Sequence, residues 1–230
     1  MLRKLLFKFS GKEDKDPSVP TRLVYEQAID YGFALCRGFF KVIGCKMNGT
    51  IFVGSRTKIV GKNNLVLGKN VNIGKDCFIS CYSKRGITIG ESSKIGDNSV
   101  VRCSNLQHLG EGLFIGDHSS FDAECFFGAS GFIRIGNDVI AGRNIKFHAE
   151  NHEYKDAEKL IREQGVSSKG IVIGNNCWIG SNVIFLDGSR IGDGCVVAAG
   201  AVVVGEYPNN TVIGGIPARV IKQRCISNEI

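Results

Sequence analysis

The chain has 230 residues, 43% of them hydrophobic, with 30 glycines and only four prolines. That is enough apolar material for one large domain, and the lack of a strict third-residue glycine excludes a collagen-like fibre. The net charge of +7 permits anionic partners without requiring one, and no run approaches the roughly 20 apolar residues that span a bilayer.

Residues 1–42 read as an N-terminal helical segment. Leu2, Leu5, Leu6 and Phe9 share one helical face, with Arg3, Lys4 and Lys8 elsewhere. After a polar stretch, Thr21 is placed to cap a second helix over residues 22–41, which holds Leu23, Val24, Phe33, Leu35, Phe39 and Phe40. Two uses fit such a helix. It can close the open end of the repeat array that follows, hiding unpaired strand edges. It can also lie as a basic amphipathic segment on an anionic membrane. Residues 1–9 lack the apolar core and cleavage site of a secretory leader, so a reducing cytoplasm is expected, and the nine cysteines, with no CxxC pair, are expected as free thiols.

From residue 43 the sequence is governed by a repeat. Aliphatic-Gly pairs recur at Leu67, Ile73, Ile89, Ile95, Ile115, Ile135, Ile173, Ile179 and Ile191, and from Ile173 a six-residue step runs unbroken through Ile179, Phe185, Ile191, Val197 and Val203. Three steps make an 18-residue coil shaped as a triangular prism, each step supplying one short strand and one corner. The aliphatic points inward, a compact residue four positions later (Cys77, Cys125, Cys177, Cys195) also turns inward, and the Gly is expected to relieve strain as the chain bends. Coils should begin at Leu67, Ile89, Ile115, Ile135, Ile173 and Ile191, with extra residues at 85–88, 107–114, 133–134 and 153–172, and a less regular coil over residues 43–66. An amphipathic helix would need apolar residues at i, i+3, i+4 and i+7, which a six-residue step does not supply. The fold expected for residues 43–208 is thus an all-β parallel β-helix of stacked triangular coils.

The longest insertion, a protruding loop over residues 148–172, carries His148, Glu150, Asn151 and His152. Imidazole is a suitable general base near neutral pH, backbone N–H groups can hold an oxyanion, and no Gly-x-Ser-x-Gly elbow offers a serine nucleophile. Residues 209–230 read as a closing segment. Ser181 and Ala199 stand 18 residues apart, one above the other, and with Gly180 and Gly200 they should leave a groove parallel to the axis.

Over residues 43–224 these features resemble the hexapeptide-repeat acyltransferases. The run IGNDVIAGRNIKFHAENH is similar to the one leading to the catalytic His of maltose and galactoside O-acetyltransferases, and GGIPARVIK to the family's closing segment. The resemblance implies a left-handed winding, whereas ordinary parallel crossovers are right-handed. It implies acetyl-CoA as co-substrate, with no metal, and a homotrimer with sites between neighbouring prisms. His152 becomes the base, 17 residues past Ile135, and His148 a structural or peripheral residue. Asp122 stands where the family has an acceptor-binding Asn. Trp178, Gly180, Ser181, Ala199, Gly200, Arg219 and Lys222 become the cofactor-binding set, while Val204 and Gly205 replace polar family residues. The acceptor implied is a saccharide hydroxyl, in lipid-linked surface polysaccharide synthesis, with the enzyme in the cytoplasm or peripheral on the inner membrane face; nothing points to nucleic acid. Two other readings remain: a non-catalytic solenoid scaffold, and a zinc carbonic anhydrase on the same fold, which would need a third His ligand.

Overall fold

A computed structural model of the protein describes residues 18–224. The helix expected around residues 2–9 lies outside them. The chain winds as a parallel β-helix with three faces, and every third strand stacks in one ladder. The first face runs from Lys46–Met47 through Leu65–Leu67 to Glu206–Tyr207, the second from Ile51–Val53 to Thr211–Gly215, and the third from Lys58–Val60 to Val202–Val203. On the first face Leu67 is opposite Ile89, which is opposite Ile115; Ile135, Ile173, Ile191 and Tyr207 continue the column. Each coil start read from the six-residue step is therefore a register position.

The axis is filled by these aliphatics and, on the third face, by a pile of aromatic rings. Phe127 and Phe147 stack at 5.1 Å between centroids, and Phe147 and Phe185 at 5.0 Å. Phe121 meets Phe127 edge-on at 5.2 Å. All four rings are fully buried. One coil has no such interior by itself, so burial is gained only by stacking. Cys77, Cys125, Cys177 and Cys195 are buried where the compact inward residue was expected. Burial pushes the thiols of Cys125 and Cys177 up to about 11, so they pack as small apolar groups and are poor nucleophiles.

The repeat glycines do a different job from the one expected. Gly74, Gly96 and Gly180 have ordinary negative φ; a Cβ on any of them would collide with backbone of the next coil. They permit close stacking. The left-handed turn falls two residues later, on Asp76, Asn98 and Asn182 among others, where a short polar side chain tolerates positive φ. At the corner between the first and second faces the residue just after the Gly forms a ladder: Asp117, Asn137, Asn175 and Asp193 each accept a backbone N–H from the coil before and donate their own to the coil after.

The insertions also sit differently. Ile87–Ile89, Leu113–Ile115 and Ile133–Ile135 are continuous strands, because residues i and i+2 of a strand both face inward. The extra residues fall before them, at 81–86, 103–112, 129–132 and 149–170. All four interrupt the same corner, between the third and first faces.

The N-terminal helix, Thr21–Lys41, begins one residue earlier than expected, with Pro20 rather than Thr21 as N-cap. It lies across the edge strand Ile51–Val53. Gly38 meets the Ile51 carbonyl so closely that a Cβ would not fit, the Arg37 Nε donates to the Val53 carbonyl at 3.0 Å, and Tyr31 packs edge-on against Phe52 at 5.7 Å. The helix therefore closes the second face at the start of the solenoid. Among the described residues no helix is long and apolar enough to cross a membrane.

Candidate active site

The long excursion leaves the solenoid after Lys146–His148 and returns at Ile171–Ile173. It is thus shorter at both ends than residues 148–172. His148 still belongs to the third face, level with Gly128 and Leu186, and its ring rests 5.5 Å from that of Phe126. Partial burial, assisted by the Lys146 ammonium, lowers the His148 pKa. His152 is exposed and lies on a two-residue strand, Asn151–His152, paired antiparallel with Val166–Ser167. The distal part is organised by Gln164, whose amide donates to the carbonyls of Asp156 at 2.8 Å and Lys159 at 3.0 Å while its Oε1 accepts the Asp156 N–H.

Asp187 holds the base of the excursion, and sequence reasoning missed it. Its carboxylate accepts the backbone N–H groups of Lys169 and Gly170, each at 2.8 Å, and the Asn151 side-chain amide at 3.3 Å. One half-buried carboxylate thus ties the outgoing leg, next to His152, to the returning leg. Nothing in the six-residue step marks that position, since the pairing joins residues 18 and 36 apart through a loop.

The other expected site residues gather at a different corner, between the second and third faces. Ile179 is level with Val197, which puts Gly180 beside Ala198, Ser181 beside Ala199 and Asn182 beside Gly200. The expected stack is present. A Cβ on Gly180 would strike the Ala199 backbone, whereas one on Gly200 would meet nothing, so the outer wall is low and open. Small side chains there leave room for an extended chain such as a pantetheine arm. Arg143 lies level with Ser181 in the coil before and pairs with Glu124 at 2.8 Å, so a cation unrecognised in the sequence heads this column. Asp122 occupies the same corner higher up: its N–H donates to the Ala141 carbonyl, and it replaces the Gly present as Gly96 above and Gly142 below. At the other end Arg219 is opposite Gly214 and Lys222 opposite Val212 on the strand that closes the second face, both exposed. Trp178 is 60% exposed on the outer side of the second face, level with the exposed Ile140.

Asp122 and the small-residue groove therefore share one corner, and His152 leaves from the next, one side of the prism away. Among the described residues no three His, Cys, Asp or Glu side chains gather as a metal site would need.

Three-sided coils stacked in parallel, with every insertion at one corner, define the class as a β-helix solenoid. The comparisons make it specific. Residues 170–205 match the bacterial transferase hexapeptide family model, and residues 64–103 the hexapeptide repeat of succinyl-transferase. The chain is 32% identical over 151 residues to WbbJ of Escherichia coli (strain K12), named for O-acetyl transfer in lipopolysaccharide biosynthesis; the match covers 62% of this chain and 76% of that one. It is 30% identical over 129 residues to the galactoside O-acetyltransferase of the same strain, covering 56% and 63%. AntD, an N-acyltransferase from Bacillus cereus solved with dTDP and 3-hydroxybutyryl-CoA, superimposes with a TM-score of 0.54 at 19% identity, covering 82% and 88%, and shows the shared fold. The chain belongs to the hexapeptide-repeat acyltransferase family. Its coil is accordingly the left-handed β-helix of that family, and it is an acetyltransferase.

Proposed function

We propose that the protein transfers the acetyl group of acetyl-CoA to a hydroxyl of a saccharide, with His152 as general base, in a site shared between two chains of a homotrimer. The carrying observation is the separation of the parts. The groove and Asp122 lie on one corner, and the anchored His152 excursion springs from the next. A threefold assembly that sets the corners of neighbouring prisms together would unite them. The O-acetylating relatives support the reaction: of the two named above, one is named for lipopolysaccharide biosynthesis and the other for galactosides.

In this reading the acetyl-CoA arm lies along Gly180, Ser181, Ala199 and Gly200, with Trp178 against it. Arg219 and Lys222 meet its phosphates at the C-terminal end, Arg by a forked contact and Lys as a point charge. Asp122 accepts hydrogen bonds from acceptor hydroxyls. His152 takes the proton of the attacking hydroxyl as its oxygen bonds to the thioester carbonyl carbon. The tetrahedral oxyanion then collapses, the C–S bond breaks, and the CoA thiolate leaves and takes up a proton. The natural acceptor is a surface polysaccharide unit, lipid-linked, acetylated in the cytoplasm where acetyl-CoA is made.

His152→Ala should leave folding intact, because an exposed loop side chain leaves no cavity, and lower turnover about 10²–10⁴-fold. Asp122→Ala should be impaired in acceptor use. Trimers assembled from the two variants together should regain activity in roughly a quarter of their sites, because random assembly brings intact His152 and Asp122 together across chain boundaries. Unimpaired His152→Ala would end the imidazole mechanism, and failure of the mixture to regain any activity would end the shared site.

A further inference from the structure

The N-terminal helix has two apolar faces, and only one is used by the solenoid. Tyr31 and Gly38 meet the edge strand, and Val24 and Val42 are buried on the same side. On the opposite side Tyr25, Ile29, Phe33 and Phe40 follow at spacings of four, four and seven, a single stripe, continued past the helix end by Ile43. These five side chains are 46–67% exposed, and among the described residues the one ring contact they make is that of Phe40 with its neighbour Phe39, edge-on at 5.4 Å. A helix apolar on both sides is ordinarily buried on both sides.

The charge of the chain that follows bears on what covers this stripe; the helix's own acids are already paired, Glu26 with Arg22 and Asp30 with Lys75. Residues 31–75 contain eight Lys and Arg and no Asp or Glu. The whole chain carries 29 basic and 22 acidic residues, so this stretch of +8 exceeds the entire net charge of +7, and the rest of the chain is close to neutral. Arg56 and Lys75 are neutralised by Asp76 and Asp30, but Lys41, Lys46, Lys58, Lys62 and Lys69 have no acidic partner among the described residues. These lysines belong to the last turn of the helix and the first coils it closes. A second copy docking through the same surface would set lysines against lysines, whereas an anionic bilayer offers phosphates to the cations and acyl chains to the aromatic rings.

We infer that the helix end of the solenoid is a membrane-docking surface: Phe33, Phe40 and their neighbours enter the headgroup region of an anionic leaflet, and the unpaired lysines of the first coils hold the lipid phosphates. The inference does not depend on the acetyl-transfer chemistry. It would place the solenoid at the surface that displays lipid-linked acceptors.

The test is sedimentation of the full chain with phosphatidylethanolamine vesicles prepared with and without phosphatidylglycerol. Binding should require phosphatidylglycerol and weaken as salt is added. Lys58→Gln and Lys62→Gln should each weaken it by ~5-fold, about the worth of one cation at an anionic surface. Phe33→Gln with Phe40→Gln should weaken it by more than ~10-fold. Light scattering on the same variants should give an unchanged mass. Absence of binding to phosphatidylglycerol vesicles, or binding indifferent to Phe33 and Phe40, would overturn the proposal. So would a fall in assembly mass in the Phe variants, which would assign the stripe to contact between copies.

Discussion

Asp187 offers a test of how the excursion that carries His152 is held. Asp187→Ala removes the acceptor for the Lys169 and Gly170 N–H groups and for the Asn151 amide. A hydrogen bond to a charged partner is worth about 1.5–3 kcal/mol, but these donors lie at the loop base and regain water once the carboxylate is gone. A net loss of about 2 kcal/mol in the closed state of the excursion follows, or ~30-fold more frequent opening. Lys155, Lys159 and Arg162 are exposed on that excursion, so limited trypsin digestion reads the opening directly, independent of any acceptor. Cleavage there should accelerate about 30-fold while the melting temperature of the solenoid changes little. In the proposed mechanism turnover should fall about 10–100-fold, since a displacement of the base by an ångström suffices, while the acetyl-CoA KM should change less, because the groove residues that hold the cofactor arm make no hydrogen bond to Asp187. Asp187→Asn keeps one oxygen acceptor and should lie between wild type and Ala. Wild-type cleavage together with wild-type turnover in Asp187→Ala would refute the latch. Faster cleavage with undiminished turnover would keep the latch and separate it from His152.

Two further outcomes are expected. Phe147→Ala, which removes the middle ring of the stack between Phe127 and Phe185, should cost about 3–5 kcal/mol by denaturant unfolding; less than about 1 kcal/mol would mean that the column does not carry the core. Arg219→Ala with Lys222→Ala should raise the acetyl-CoA KM more than it lowers kcat, and an unchanged KM would remove the closing strand from the cofactor site.

What the sequence made legible was whatever repeats. The six-residue step gave the register of Leu67 through Ile191, because a side chain that must fill the axis recurs wherever the strand does. Inward Cys177 and Cys195 were legible for the same reason. The role of the repeat Gly was not, since two constraints act two residues apart: close approach at Gly74 and positive φ at Asp76. Insertion boundaries differ from the expected ones by several residues because Ile87 and Leu113 face inward like the repeat aliphatics, two residues ahead of the position that the six-residue step marks. Of the helix, its apolar content was legible, and packing over the array or lying on a membrane looked like competing uses. Its two faces allow both at once.

The distribution of irregularities over the three corners carries the deeper argument. From Glu91 to Asn209 the first corner is locked by the Asp and Asn ladder, which joins each of those coils to the next through side chains. The second is charged in its early coils, with the Arg56–Asp76 and Arg143–Glu124 pairs, and narrows to Gly180, Ser181, Ala198, Ala199 and Gly200 in its last ones, so it can receive an extended ligand there. The third accepts every insertion and bears the imidazole. A solenoid must keep its interior column unbroken, so residues free to meet a ligand appear at corners and on the outer side of strands, and in the proposed site the groove with Asp122 and the imidazole stand at different corners. A rigid prism cannot fold one corner onto another. Catalysis by these residues together therefore requires either a second chain or a loop that crosses a whole face, and the latch at Asp187 fixes the loop at its own corner. If His152 and Asp122 act on one substrate as proposed, assembly is a condition of activity, and dilution that dissociates the proposed trimer should abolish turnover while leaving each β-helix folded.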